Sequence, residues 1–162
     1  MAVFESQEIY QFAMRIEENG ERFYRGAAQA LQDREAKDLF SHLADEEKRH
    51  KRIFESMLSK MESYQMDERY SGEYLEYLRA YIDEKVVFNK RDADRELRAV
   101  KDVRSAIEFA IHREMEAILY FLEMKNLVSK GQQNSIEKIV EEERRHFTIL
   151  SHAQKSLAAT PL

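Results

Sequence analysis

The chain has 162 residues, 35% of them charged, and this length allows one domain with a substantial hydrophobic core. It contains only 4 glycines and 1 proline, too few turn-forming residues for a β fold of many strands, so the composition favours an all-α fold. The net charge of −5 argues against a nucleic-acid-binding surface, and the absence of cysteine excludes disulfides and thiolate metal sites within the chain.

The apolar content of the sequence bears on localisation and domain organisation. The first residues do not show the basic segment and apolar run of a secretory signal. No stretch approaches the roughly 18 uncharged apolar residues of a membrane-spanning helix. We therefore expect a cytoplasmic protein that binds neither membranes nor nucleic acid, with residues 1–162 folded as a single domain.

The first predicted helix hairpin covers residues 6–61. Its helices span about 6–30 and 34–61, because apolar residues recur there at alternating steps of three and four. Asp33 fits the N-cap of the second helix. Gly20 lies in the middle of the first helix, where glycine costs about 1 kcal/mol relative to alanine, so we expect a neighbouring group to need that space.

Residues 62–101 connect this hairpin to a second one. The segment is too long for a turn between antiparallel neighbours, so we expect a crossover along the bundle that contains an extra short helix. Within it, residues 64–72 indicate a break, and residues 89–101 are mostly charged and fit either a loop or a short helix. A row of tyrosines at helical spacing fits packing against the bundle or, alternatively, a homodimer interface: Tyr70, Tyr74, Tyr77 and Tyr81.

The second predicted hairpin covers residues 102–158. Its first helix spans about 102–128, with Asp102 fitting the N-cap, and its second helix spans about 134–158. We interpret Ser129, Lys130 and Gly131 as the C-cap and turn between them, because glycine commonly ends helices. The predicted fold is therefore a four-helix bundle of two antiparallel hairpins joined by a long crossover.

Each of the four long helices carries charged or imidazole side chains within its apolar stripe, where charge is normally excluded. The first and third helices contribute one Glu each. The second and fourth contribute a Glu-x-x-His each, in which the two side chains share one helix face. The third-helix Glu follows the first-helix Glu by 97 positions, and the two Glu-x-x-His motifs are 96 apart, which indicates a duplicated hairpin. The six residues are Glu17, Glu47, His50, Glu114, Glu143 and His146.

A single Glu-x-x-His carries little weight in a chain so rich in glutamate. The remaining histidines, His42, His112 and His152, have apolar residues three positions earlier and lack the motif. Two alternatives to a metal site are solvated charges with a misassigned helix phase and a buried polar network without metal. Four buried carboxylates would carry a charge of −4, which two histidines cannot neutralise but two divalent cations can. A metal site is therefore the preferred interpretation.

The donor types indicate which metal such a site would hold. Carboxylates and imidazoles without thiolate suit iron or manganese at higher coordination better than tetrahedral structural zinc. We expect two iron ions, with manganese or zinc as substitutes. In this scheme Glu47 and Glu143 bridge the ions, the other two glutamates are terminal ligands, and each histidine binds one ion.

This pattern resembles the rubrerythrin branch of the ferritin-like superfamily, whose members are four-helix bundles with a carboxylate-bridged di-iron centre. The resemblance covers about residues 6–61 and 104–158. It implies that the six residues are iron ligands and that Tyr24 hydrogen-bonds beside the centre. It also implies an oxidoreductase active in oxidative stress, either a peroxidase that reduces hydrogen peroxide or a ferroxidase that uses peroxide or dioxygen. The residues that carry it are Glu17 and Tyr24, Glu47-Lys48-Arg49-His50, Glu114, and Glu143-Arg144-Arg145-His146.

The sequence departs from that family in two respects. Rubrerythrins carry an extra glutamate one turn after the third-helix ligand, where this chain has Ala117, so we expect a more symmetric site and leave peroxidase activity open. The cysteine-ligated rubredoxin domain is also missing, so turnover would need a separate electron-donor protein. Two other functions stay open, namely a non-catalytic bundle that senses metal or redox state and an O₂-activating di-iron oxygenase.

Overall fold

The computed structural model describes residues 6–61 and 72–159, and every element in these ranges is helical. In chain order they are α1 (Ser6–Ala30), α2 (Arg34–Ser59), α3 (Gly72–Glu84), a 3₁₀ turn (Val86–Phe88), α4 (Lys90–Ala99), α5 (Val103–Leu127) and α6 (Lys130–Ala159). α1 packs along α2 and α5 along α6, and the two pairs meet through α1 with α5 and α2 with α6. The predicted all-α bundle of two hairpins is confirmed. None of these helices has both the length and the apolar content needed to cross a membrane.

Most boundaries of the long helices follow the sequence signals. Asp33 caps α2, and its side chain accepts a hydrogen bond from the backbone N–H of Ala36 at 2.8 Å. Asp102 caps α5 in a capping box with Ser105. α2 ends at Ser59 rather than at residue 61. The predicted break at 64–72 lies outside the described residues except for its last position, which begins α3.

The predicted start of the fourth long helix near residue 134 is wrong, because α6 begins at Lys130. Gly131 lies in its first turn, and no described glycine has the positive φ that a left-handed C-cap would need. Backbone N–H groups in a first turn have no intrahelical partner, and a Cβ at Gly131 would meet nothing within 4 Å. Glycine at this position therefore marks neither a turn nor a close contact.

The helix boundaries support the duplicated hairpin that the sequence indicates. Both ends of α5 lie 97 positions after the corresponding ends of α1, and α6 begins 96 positions after α2. These are the two offsets that relate the Glu and His residues of the first hairpin to those of the second. The duplication thus extends from the polar residues to the helices that carry them.

The crossover contains two α-helices, α3 and α4, joined by the 3₁₀ turn, where one extra helix was predicted. The charged segment that fitted either loop or helix forms α4, and the side chain of Asn89 caps its N-terminus. α4 approaches α1 closely at Gly26, since a Cβ there would collide with Leu97. Asn19 of α1 donates a hydrogen bond to the carbonyl of Val87 at 2.9 Å. Both contacts fix the crossover against the first helix.

Two tyrosines of the predicted row, Tyr74 and Tyr81, pack α3 against α5. Tyr81 is buried and donates to the backbone carbonyl of Glu116 at 2.5 Å, and Tyr74 donates to a carboxylate of α5 at 2.7 Å. These contacts confirm the expected packing role for Tyr74 and Tyr81. Tyr77 points outward and is 45% exposed, whereas Tyr70 lies outside the described residues.

The core of the bundle consists of two apolar layers. One layer is built from the early part of α1, the end of α2, the end of α5 and the early part of α6, and includes Phe54 and Phe121. The other is built from the opposite halves of the same helices and includes Phe40 and Leu150. The Glu and His residues of every long helix fall between these two halves, so buried hydrocarbon flanks them on both sides.

Candidate metal centre

All six predicted ligand residues come together in the middle of the bundle. They are almost completely buried, with exposed fractions between 0% and 4%. Burying so many ionisable groups in one place is costly unless charges compensate one another. The three histidines without the motif lie on the exposed surface. The buried residues are Glu17 of α1, Glu47 and His50 of α2, Glu114 of α5, and Glu143 and His146 of α6.

The six side chains form two overlapping groups. Each group has three carboxylates and one imidazole, and each residue offers a ligand atom within 4.8 Å of the others in its group. Glu47 and Glu143 belong to both groups. Two shared carboxylates are the arrangement expected where two neighbouring cations are bridged. The groups are Glu17, Glu47, His50 and Glu143, and Glu47, Glu114, Glu143 and His146.

The two ring nitrogens of His50 have different surroundings. Nδ1 faces the cluster, 2.7 Å from Oε1 of Glu143 and 3.7 Å from Oε1 of Glu17. Nε2 faces away from it, 2.6 Å from Oε2 of Glu142. A proton on Nε2 would be donated to Glu142 and leave the Nδ1 lone pair directed at the cluster, the tautomer a metal-binding imidazole needs.

His146 occupies the equivalent position on the other side of the cluster. Its Nδ1 lies 3.0 Å from Oε2 of Glu143 and 3.8 Å from carboxylate oxygens of Glu47 and Glu114. Its ring is stacked on that of His50, with 5.9 Å between the centroids. The two imidazoles therefore present Nδ1 to adjacent parts of one carboxylate cluster.

Without cations, the carboxylates of the cluster resist ionisation. Burial raises the pKa of Glu47 well above its usual range, and the charges of Glu17 and Glu143 raise it further. Burial also raises the pKa of Glu114, again with a contribution from Glu143. For Glu17, burial raises the pKa although His50 opposes the shift. In three of the four carboxylates burial therefore favours the neutral form, and a nearby positive charge would favour ionisation.

Glu143 differs because it lies between the two histidines. Burial opposes its ionisation, but the charge of His50 and the hydrogen bond with His146 outweigh burial and hold the pKa of Glu143 well below its usual range. Burial alone would lower the pKa of His50, yet the charges of Glu143 and Glu17 raise it to about 12. In the absence of metal, these groups form a buried ion pair.

Several buried polar atoms of the cluster have no hydrogen-bond partner among the described residues. Both carboxylate oxygens of Glu17 and Oε1 of Glu47 have no hydrogen-bond partner among the described residues. The close approach of His50 to Glu143 lacks hydrogen-bond geometry. A buried polar atom left unpaired costs about 1–3 kcal/mol, and a charged one more. These oxygen and nitrogen donors therefore fit a site for metal.

Comparison with known proteins also supports a metal site. A profile of the rubrerythrin family matches residues 8–154, a range that includes all six buried residues. The chain belongs to the rubrerythrin family. The resemblance found in the sequence is thereby confirmed, and the family is consistent with a site for metal, with iron the metal most strongly indicated.

The rubrerythrin assignment agrees with structural similarity. The structure is similar to the crystal structure of a candidate ferritin-like diiron-carboxylate protein from Thermotoga maritima. The TM-score is 0.66 at 25% sequence identity, with 96% of this chain and 97% of that chain covered. No protein with curated annotation is significantly similar in sequence. The ferritin-like fold is confirmed, and the buried carboxylate and histidine cluster fits a di-iron protein.

Tyr24 reaches this cluster, where the rubrerythrin resemblance places it. Its hydroxyl donates a hydrogen bond to Oε1 of Glu114, and its ring stacks on Phe40 with 5.9 Å between centroids. In the second hairpin the equivalent position, 97 residues later, is Phe121, which has no hydroxyl. Glu114 therefore receives a hydrogen bond that Glu17 lacks, and the duplicated site is not symmetric at this point.

The sequence interpretation did not identify Glu142 as a supporting residue. Glu142 of α6 contacts Nε2 of His50 and forms an ion pair with the guanidinium of Arg49. The Arg49 guanidinium forms a second ion pair with Glu46, at 2.7 Å. Arg49 therefore links α2 to α6 beside the centre. The available signal was the position of Glu142 directly before Glu143, matched by Glu46 in the first hairpin, but sequence alone does not show that it reaches the opposite helix.

Proposed function

We propose that this rubrerythrin-family protein is a di-iron redox protein that reduces hydrogen peroxide, oxidises ferrous iron, or does both. The observation that carries this proposal is the pair of buried groups, each of three carboxylates and one imidazole, that share Glu47 and Glu143. The oxygen-rich donor set supports iron, with manganese or zinc as substitutes. Similarity to a ferritin-like diiron-carboxylate protein supports the same metal.

In this proposal each residue of the cluster has a defined role. Glu47 and Glu143, which belong to both groups, would be shared by the two ions, and Glu17 and Glu114 would each hold one ion. The histidines bind through Nδ1, because that nitrogen faces the carboxylates in both cases. Four carboxylates balance the charge of two divalent ions, which removes the electrostatic cost of burying them.

Two bound ferrous ions would supply two electrons to hydrogen peroxide, which takes up two protons and becomes two molecules of water. The protein contributes by holding the donor atoms in place and by excluding bulk water. The apolar layers on both sides of the cluster exclude bulk water. The hydrogen bond from Tyr24 to Glu114 and the contact of His50 with Glu142 hold the donor atoms in place.

The size of the space beside the cluster supports a small oxidant. A cavity of about 10 Å³ borders Glu47 and Glu114. Such a volume holds about one water molecule. A space of this size argues against the organic substrate that an oxygenase would also have to bind, and it would take one oxygen atom of hydrogen peroxide or dioxygen.

Two partners follow from the proposal. Repeated reduction of peroxide consumes electrons, so we propose a separate electron-donor protein.

We also propose a homodimer, supported by large apolar side chains on the surface of α3 and α5, where Tyr77 is 45%, Met115 54% and Leu119 40% exposed. Sedimentation analysis tests the dimer. A dimer weakened by Leu119→Ser supports it, and a monomeric wild-type protein contradicts it.

Anaerobic stopped-flow absorbance tests the redox function. Protein loaded with two ferrous ions per chain is mixed with stoichiometric hydrogen peroxide or with dioxygen, and formation of ferric iron is followed. We expect rapid oxidation in the wild type and much slower oxidation in Glu143→Gln. His42→Gln is the matched control, because this histidine is exposed, and it should react like the wild type.

The oxidant that reacts faster identifies the activity. Faster reaction with peroxide supports a peroxidase, and comparable or faster reaction with dioxygen supports a ferroxidase. If neither oxidant reacts within minutes, the redox proposal is contradicted and a metal- or redox-sensing bundle is favoured.

A further inference from the structure

One buried charge in the bundle does not belong to the six-residue cluster. Arg113 of α5 is only 4% exposed. Its Nη1 donates a hydrogen bond to Glu96 of α4 at 3.2 Å, and its guanidinium lies over the ring of Phe23, 5.2 Å from the centroid. Nε and Nη2 have no hydrogen-bond partner among the described residues. A buried guanidinium with two unpaired nitrogen donors requires an explanation, because buried charges are normally paired.

Arg113 lines the same small cavity as the candidate ligands Glu47 and Glu114. The cavity of about 10 Å³ also borders Gly20 and Ala117, the smallest side chains available on the two helices that supply the terminal glutamates. Gly20 and Ala117 contribute little side-chain bulk to this lining. The cavity has room for a single oxygen-sized group, and its polar lining residues are Arg113, Glu47, Glu114 and Tyr24.

The chemistry of this border favours a small oxygen ligand or anion. The guanidinium carries a positive charge and offers N–H donors in a fixed planar fork. Once cations compensate the charges of Glu47 and Glu114, Arg113 is the cationic side chain among the residues that line the cavity. Hydrogen bonds from it to an oxygen atom would be charge-assisted and satisfy the unpaired nitrogens.

We infer that Arg113 and this cavity form the subsite that binds the oxidant beside the metal centre. Nε–H and Nη2–H donate hydrogen bonds to an oxygen atom of hydrogen peroxide, and to water or a small anion when peroxide is absent. This inference rests on the proposed function, because it names the residue that holds the substrate of that reaction. The inference goes beyond the proposed function because it assigns a binding role to Arg113, a side chain outside the six candidate ligands.

A purely structural role for Arg113 is the competing explanation. The ion pair with Glu96 joins α4 to α5, and its loss would lower stability without any effect on a ligand. Glu96→Gln weakens this ion pair while leaving Arg113 in place, so it is the matched control. A structural role predicts that Glu96→Gln and Arg113 variants behave alike, whereas a binding role predicts that only the Arg113 variants affect ligand affinity.

Fluoride titration of the ferric, iron-loaded protein separates the two explanations. Fluoride is a single-atom anion close in size to water, and its binding is followed by the change in the ferric absorption spectrum. We expect Arg113→Met to weaken fluoride binding by roughly tenfold to a hundredfold, the effect of losing a hydrogen bond to a charged group. Arg113→Lys should show a smaller loss, and Glu96→Gln should stay within about threefold of the wild type.

Unchanged fluoride affinity in both Arg113 variants would overturn the inference, as would an equal loss in Glu96→Gln. If Arg113→Met fails to fold, Arg113→Lys decides, because it keeps the charge and most of the volume. Fluoride binding does not depend on turnover, so Arg113-dependent binding without peroxide or dioxygen reactivity contradicts the proposed function alone. Rapid oxidation with Arg113-independent fluoride binding contradicts this inference alone, and a protein that holds no iron contradicts both.

Discussion

A Cβ atom on Gly20 would lie 2.5 Å from Oε2 of Glu47, so the Glu47 carboxylate occupies the space that a side chain on α1 would need. The sequence predicts that some neighbouring group requires this gap, and that group belongs to the metal cluster. No described glycine has a positive φ, so backbone conformation does not explain the residue. Glycine at this helical position costs about 1 kcal/mol relative to alanine, and it leaves room for the Glu47 carboxylate.

Gly20→Ala should therefore separate stability from metal binding. We expect the free energy of unfolding of the metal-free protein to stay within about 1 kcal/mol of the wild type, because alanine favours helix while the carboxylate must move. Metal affinity, measured by chelator competition, should fall about tenfold or more. Gly131→Ala is the matched control, since its Cβ would meet nothing within 4 Å, and it should leave affinity unchanged. Equal affinity in both variants would show that the gap does not serve the cluster.

Glu47→Gln should stabilise the metal-free protein and should remove most of the stabilisation that added metal provides. Burial and neighbouring negative charges raise the pKa of Glu47, so a neutral isostere relieves repulsion in the folded state. We expect the free energy of unfolding without metal to rise by about 1–3 kcal/mol, and most stabilisation by added metal to disappear. Denaturant unfolding with and without ferrous iron measures both effects. The exposed neighbour Glu141, changed to Gln, should alter neither. A destabilised metal-free Glu47→Gln protein would mean that this carboxylate is already compensated.

The metal-free protein should become more stable as the pH falls from about 8 to about 5. The folded-state pKa values of Glu17, Glu47 and Glu114 are raised, so their contribution is complete below the ordinary value of 4.5 and is lost as the pH rises through the folded values. The pKa of His50 is raised to about 12, so this residue also stabilises the folded protein more as the pH falls. Glu143, whose pKa is lowered, acts oppositely, and its contribution is lost only as the pH falls below its ordinary value.

The metal-loaded protein should show the opposite pH dependence, because protons compete with cations for the same oxygen and nitrogen atoms. Thermal unfolding at several pH values, with and without ferrous iron, tests both trends. Parallel curves for the two forms would contradict the assignment of these ionisable groups as ligands.

Tyr24 should make the two metal positions distinguishable. It donates a hydrogen bond to Glu114, whereas both oxygens of Glu17 have no hydrogen-bond partner among the described residues, and the equivalent residue in the second hairpin is Phe121. Mössbauer spectra of the di-ferrous protein should contain two iron signals of equal area. Tyr24→Phe should bring these signals closer together and cost about 1 kcal/mol of stability. Phe121→Tyr provides the matched change on the other side, and identical spectra in all three proteins would show that the hydroxyl does not influence the iron.

Much of the fold could be predicted because its signals are local. Asp33 and Asp102 cap the helices that they were expected to cap, and apolar periodicity located the four long helices. The start of α6 was misplaced because Gly131 was interpreted as a terminator, although the duplication places that start 96 positions after Arg34. The close approach of α4 to Gly26 could not be predicted, since it depends on a contact with a distant segment.

The six residues of the candidate site were predictable because a charge within an apolar stripe is visible in sequence and recurs in both hairpins. The residues that surround the six were harder to predict from the sequence. Glu142 is adjacent to Glu143, but only the packing of α6 against α2 shows that it reaches His50. Arg113 replaces the Ile16 of the first hairpin, a departure visible in the sequence. Its burial, however, depends on α4 supplying Glu96.

The number of iron ions held by each chain tests the proposed centre most directly. Metal-free protein is titrated anaerobically with ferrous iron, unbound metal is removed, and the bound iron is measured by elemental analysis. We predict two ions per wild-type chain, two in the surface variant His112→Ala, and fewer than one in the double variant Glu47→Gln with Glu143→Gln. A wild-type chain that retains fewer than two ions, or a double variant that retains two as tightly, would contradict a pair of iron ions bridged by these glutamates.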